Sequence, residues 1–172
     1  VAAGYKQGLK WLWDQGSDPG SVILTGSHVI GPLLPLDPRA LDLEAHDADF
    51  FAPYWHNAAL DLRFKQRKGL GLLPSHDFAV VSARLMSDAG FRAFWENLRP
   101  TDDYWEEFQR LNLGFSEFLK SGNHKVIYPM PPDALETSDT SISEIHKIVA
   151  YDAPCLPVSV LRLDPILHDL YA

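Results

Sequence analysis

Ser21-Val22-Ile23-Leu24-Thr25-Gly26 decides how the rest of the chain is read. An apolar, β-branched run set between the Asp18-Pro19-Gly20 turn and a glycine predicts a short strand, buried on both faces at the centre of a sheet. Upstream, Tyr5, Leu9, Leu12 and Trp13 recur at helical spacing, so a helix leads into the turn. Gly26 and Gly31-Pro32 loosen the backbone just beyond the carboxyl end of the strand.

The pattern repeats downstream. Asp49 to Tyr54 and Phe78 to Val81 predict two further strands, with the glycine-rich stretch Lys68 to Pro74 as a loop between them. Leu85 to Leu98 and Tyr104 to Leu119 carry amphipathic helical spacing, and Ser121-Gly122-Asn123 ends the second helix. A strand is expected at Lys125 to Tyr128, a helix at Ser141 to Tyr151 and a last strand at Pro157 to Leu161. Strands alternating with helices imply an α/β domain with a mixed, largely parallel sheet flanked by helices.

Composition narrows the function classes. With 172 residues, one sizeable core fits better than two. A hydrophobic share of 46% argues for a folded chain. The net charge of -8 disfavours nucleic acid as a partner, because phosphate binding needs clustered cations. One cysteine, Cys155, excludes an internal disulfide framework and suits a reducing, cytoplasmic setting. No apolar run approaches the roughly 20 residues that span a bilayer.

Several segments, taken in order, resemble the rhamnan synthesis protein F family of bacterial surface-polysaccharide assembly. They are Gly4-Tyr5-Lys6-Gln7-Gly8-Leu9, Val22-Ile23-Leu24-Thr25 leading to Gly31-Pro32-Leu33, and Asp47-Ala48-Asp49-Phe50. Ser75 through Val81, Phe91-Arg92-Ala93-Phe94-Trp95-Glu96-Asn97-Leu98, Leu113-Gly114-Phe115-Ser116 and Val160-Leu161-Arg162-Leu163-Asp164-Pro165 follow. The resemblance implies a GT-A-like glycosyltransferase domain over residues 1–172, corresponding to the carboxyl-terminal part of such a domain, with a nucleotide-binding half ahead of it in family members. It implies transfer of a sugar from a nucleotide sugar, dTDP-rhamnose being the suggested donor, to a glycan acceptor. Together with the single cysteine and the lack of a spanning run, the expected setting is the cytoplasm, at the inner membrane face beside membrane-associated assembly partners.

Transfer of this kind needs oxygen ligands for Mg²⁺ or Mn²⁺ against the donor diphosphate, and a carboxylate to take the acceptor proton. In open α/β sheets ligands sit beyond the carboxyl ends of strands. That position holds Gly26-Ser27-His28, where family members resembling this chain often carry an Asn-Asp-Ser-like triplet. The acidic ligand is absent, so the metal motif is degenerate; Ser27 and His28 remain as donor contacts, with His28 a weak metal ligand or simply a loop histidine. Asp47-Ala48-Asp49 precedes its strand and reads as a polar strand entry rather than a metal motif.

Ser75-His76-Asp77 stands immediately before the Phe78 strand. Asp77 is the expected base, with Ser75 and His76 as sugar contacts; the competing reading is a strand cap that satisfies backbone donors. Consecutive Ser, His and Asp cannot face one another as a hydrolytic triad. Asn112 replaces the acid usual in similar family members, and can bind a sugar hydroxyl but not act as base. Trp55, beside Pro53 and His56, is expected as an exposed stacking platform. Trp95 is expected in the core. A non-catalytic glycan-binding or scaffolding module remains the alternative to an enzyme.

Overall fold

Phe78-Ala79-Val80-Val81 is buried along its whole length, and the fold is organised around it. In the computed structural model, residues 2–16, 20–26, 29–32, 41–57, 71–129 and 155–158 are described. The elements begin with α1 (Ala2–Asp14), β1 (Val22–Thr25), β2 (Val29–Ile30), β3 (Phe50–Phe51), β4 (Trp55–Asn57), β5 (Leu72–Pro74) and β6 (Phe78–Val81). After them come α2 (Ala83–Met86), α3 (Ala89–Asn97), α4 (Tyr104–Phe108), a π-helical segment (Gln109–Leu113), α5 (Gly114–Ser121), β7 (Val126–Ile127) and β8 (Leu156–Pro157).

The chain divides into two compact units. Val1–Leu24, Pro38–Phe51 and Ala79–Ile127 form the first; Thr25–Asp37, Ala52–Phe78 and Tyr128–Ala172 form the second. The first unit is a mixed sheet with helices packed on it, its strands ordered β1-β6-β3-β7. Strand β3 runs antiparallel to β6, with Phe50 opposite Val81, and parallel to β7, with Phe50 opposite Val126. The Gly26 amide donates to the Asp77 carbonyl at 2.8 Å, so the exit of β1 lies beside the entry of β6 and those neighbours also run in opposite directions.

Two expectations are therefore corrected. Pairing in the sheet is mostly antiparallel rather than largely parallel, because β6 runs against both of its neighbours. Strand β1 stands at an edge, not the centre. Of its residues only Leu24 is buried, and Ile23 is 44% exposed. A continuous apolar run does not distinguish a strand covered on both faces from one with a single core-facing side chain.

The helices break where local side chains compete for the backbone. Leu85 to Leu98 reads as one helix by periodicity, yet it is two. The Ser82 hydroxyl accepts from the Leu85 amide at 3.1 Å and caps α2, and the Asp88 carboxylate accepts from the Phe91 amide at 2.7 Å and caps α3. Between Tyr104 and Ser121 the π-helical segment reconciles a spacing that α-geometry alone does not satisfy: Leu111, Leu113 and Phe115, each two residues apart, are all buried. Asn123 adopts a left-handed φ of 54° just past α5.

Aromatic rings fill the core of the first unit. Phe115 on α5 meets Phe50 on β3 at 5.1 Å between ring centroids, and Phe91 at 6.0 Å. Tyr5 packs edge-on against Trp95, and Trp13 against Phe91, which docks α1 on α3. Trp95 is fully buried, as expected from its helix face.

Asp49 enters β3 as the clasp of this unit. Its carboxylate accepts from Arg84 Nε at 2.6 Å and from the Lys125 amide at 2.9 Å, and Arg84 also reaches Asp47 Oδ1 at 3.1 Å. Its backbone amide donates to the Lys125 carbonyl at 2.9 Å, and its carbonyl accepts from the Ser82 amide at 2.9 Å. Burial alone would push the Asp49 carboxyl up; the hydrogen bonds from Arg84 and Lys125 outweigh it and hold the group below its ordinary range.

In the second unit, considered by itself, β4 and β5 form an antiparallel pair with Trp55 opposite Pro74, and β2 pairs antiparallel with β8. Leu72–Pro74, expected within a loop, is thus a strand. The helix expected at Ser141 to Tyr151 lies outside the described residues, as does most of the strand expected at Pro157 to Leu161. No helix among the described residues is long and apolar enough to cross a membrane.

Asp49→Asn is expected to lower stability at neutral pH by about 2 kcal/mol, the worth of charge-assisted hydrogen bonds. Because the folded carboxyl titrates below its unfolded value, its contribution is complete above about pH 4 and is lost as pH falls through the folded value. Urea unfolding curves of the two proteins should therefore converge on acidification. Curves that stay equally far apart down to strong acid contradict the clasp.

Candidate functional site

The Ser75–Asp77 turn is set by a line of hydrogen bonds within the second unit. At its base, Tyr54 is fully buried and its hydroxyl donates to the Cys155 carbonyl, 101 residues away. Burial pushes the Tyr54 phenol well above its ordinary value, with the Cys155 thiol and Asp77 adding in the same direction, so it stays a neutral donor. The Tyr54 carbonyl in turn accepts from the Ser75 amide at 2.9 Å.

Ser75 then engages Asp77 twice. Its hydroxyl donates to Asp77 Oδ2 at 3.1 Å and accepts from the Asp77 amide at 3.2 Å. The Asp77 carbonyl accepts from the Gly26 amide at 2.8 Å. Ser75 and Asp77 are half-buried, whereas His76 between them is only 3% exposed. The turn therefore presents a serine and a carboxylate together and draws the histidine inward, so the imidazole of His76 is not on the accessible side of the turn.

The sequence-derived candidates fall into four groups, with Trp55 by itself. Gly26, Ser75, His76 and Asp77 are brought together. Ser27 and His28, next in line after Gly26, lie outside the described residues. Asn112 belongs to the first unit, in the π-helical segment, half-buried, and its carbonyl accepts from the Ser116 hydroxyl at 2.7 Å.

Trp55 requires a correction. It was expected as an exposed stacking platform, but it lies in β4 and is 1% exposed, because the chain after Pro53 is a paired strand rather than a loop. Its indole packs; it does not present a face to a sugar ring.

The donor chemistry of the acidic pair bears on metal binding. The Arg84 guanidinium holds Asp49 Oδ1 and Asp47 Oδ1, and the Lys125 amide holds Asp49 Oδ2. A divalent cation would have to displace a fixed positive charge to use this pair, so Asp47 and Asp49 do not fit a Mg²⁺ or Mn²⁺ site. Among the described residues no group of three or more His, Cys, Asp or Glu side chains is arranged to hold a metal ion.

Sequence reasoning missed Tyr54 as the footing of the turn. The pairing joins a phenol to a backbone carbonyl, a group every residue carries, so no residue type at Cys155 could have signalled it. Compared with family models, curated proteins and solved structures, the chain finds no match in any of the three.

Tyr54→Phe should leave the Cys155 carbonyl without this donor and lower stability by about 1–2 kcal/mol. Thermal unfolding of the variant checks it, and an unchanged melting temperature would argue that the bond contributes nothing.

Proposed function

We propose that the chain is a glycosyltransferase-like domain of bacterial surface-polysaccharide assembly, in which Asp77 takes the proton of an acceptor sugar hydroxyl. The hydroxyl oxygen then bonds to the anomeric carbon of a nucleotide sugar as the bond to the diphosphate breaks, and the nucleoside diphosphate leaves with that electron pair. Two things support the reading: the ordered likeness to the rhamnan synthesis protein F family, and one observation in the fold.

That observation is the 2.8 Å hydrogen bond from Gly26 to the Asp77 carbonyl. It sets Gly26, at the exit of β1 on the expected donor side, against the backbone of the residue proposed as base. A base needs that fixed placement, since proton transfer works only within hydrogen-bond reach of the reacting hydroxyl. Asp47 and Asp49 take no part in this reaction, since Arg84 already holds an oxygen of each. The rival reading is a glycan-binding module without chemistry, and the burial of Trp55 removes an expected sugar platform from both readings.

The donor in this proposal is a nucleotide sugar, dTDP-rhamnose first, and the acceptor a growing glycan, with the protein at the cytoplasmic face of the inner membrane beside assembly partners. A GT-A-like arrangement is part of the same proposal.

Calorimetric titration with dTDP- and UDP-sugars, with and without Mn²⁺, should give saturable binding of a dTDP-sugar. Asp77→Asn should retain that binding and lose at least about 100-fold in transfer, with its melting temperature unchanged. Absence of binding to any nucleotide sugar, or full transfer by the variant, would sink the proposal.

A further inference from the structure

The proposed base is only as useful as its orientation, and Ser75 controls that orientation from two directions at once. A hydroxyl carries one proton and two lone pairs, so it can donate to a carboxylate and accept from an amide together. Ser75 does both with the same residue: it donates to Asp77 Oδ2 at 3.1 Å and accepts from the Asp77 amide at 3.2 Å. The amide bond fixes the Asp77 backbone, and the carboxylate bond then selects the side-chain rotamer on that backbone.

Ser75 is itself anchored. Its amide donates to the carbonyl of Tyr54, whose side chain is fully buried, so the hydroxyl projects from a fixed footing rather than from a free loop. The Gly26 amide holds the opposite side of Asp77. Asp77 is thereby gripped at its amide, its carbonyl and one carboxylate oxygen.

We infer that Ser75 is a positioning residue for the Asp77 carboxylate, aiming it and favouring its ionised form, rather than a sugar contact. The inference rests on the proposed role of Asp77 as base, but its physical content is separable from that role. A hydroxyl that donates to a carboxylate favours the charged form, which is the form a base must have before reaction. Removing the donor raises the carboxyl titration midpoint and takes away the contact by which Ser75 selects the rotamer.

The test follows the Asp77 side-chain carbon by NMR through an acid titration, in the wild type and in Ser75→Ala, Ser75→Cys and Ser75→Thr. Alanine lacks the donor and cysteine donates weakly, so both should raise the midpoint by up to about one unit. Threonine keeps the hydroxyl and should restore the wild-type value. In transfer assays the alanine variant should lose about 10-fold in kcat at unchanged KM, and the acid limb of its pH profile should move up with the midpoint.

A KM increase with kcat and the acid limb unmoved would assign Ser75 to sugar contact and overturn the inference. So would an Asp77 midpoint that is the same in folded alanine and cysteine variants as in the wild type. A lower melting temperature with an unmoved acid limb would reduce Ser75 to a strand cap, also against it. If the midpoint shifts as expected and no form of the protein transfers sugar, Ser75 positions Asp77 and it is the transferase proposal that fails.

Discussion

One carboxylate holds the first unit in register. Asp49 uses its amide, its carbonyl and both side-chain oxygens, and the partners come from Ser82 at the exit of β6, Arg84 on α2 and Lys125 at the entry to β7. A buried charge is costly unless paired and hydrogen-bonded, so these partners must arrive together. The sheet order agrees with that requirement: β3 lies between β6 and β7, and the residue just ahead of it bonds to Ser82, just past β6, and to Lys125, just ahead of β7. The aromatic core built on Phe50, Phe91 and Phe115 then closes over the strand that Asp49 places.

The same constraint takes Asp49 out of the candidate chemistry. A carboxylate gripped by a guanidinium and a backbone amide is a poor ligand for a divalent cation and a poor base. Asp47-Ala48-Asp49 has the look of a metal motif in sequence, yet its position before a strand already argued for a structural role, and the Arg84 contacts give that role a partner. Asp77 lies in different surroundings. It is half-buried in a turn whose outer residues are serine and aspartate, next to the glycine that follows β1.

Much of the fold was legible. Tyr5 and Leu9 on α1, the buried run at Phe78 to Val81, and the helix ends at Gly122 and Asn123 all follow from periodicity and capping chemistry. Strand direction and rank within the sheet were not. The run at Val22 to Thr25 reads the same at an edge as at a centre, and only the pairing partners separate the two. The split of Leu85 to Leu98 was available in principle, since Ser82 and Asp88 are both capping residues, but apolar periodicity runs straight through Ser87-Asp88 and conceals it. In the candidate site, Ser75 and Asp77 were singled out separately, as sugar contact and base, and their hydrogen bond to each other was not foreseen. The turn's contact with Gly26 and its footing on Tyr54 and Cys155 depend on tertiary pairing that spacing does not encode. Trp55 was misjudged for the same reason: a proline and a histidine beside it suggested a loop, while pairing with Pro74 made it a buried strand.

The central claim is that ligand chemistry belongs to the Gly26–Asp77 junction and not to the acidic pair at the start of β3. Backbone amide NMR during addition of a dTDP-sugar tests this directly, residue by residue. The account predicts that the largest shifts fall on Gly26, Ser75 and Asp77 while Asp47, Asp49 and Lys125 stay unmoved. Shifts concentrated at Asp47 to Asp49, with the Gly26 and Asp77 amides unchanged, would contradict it.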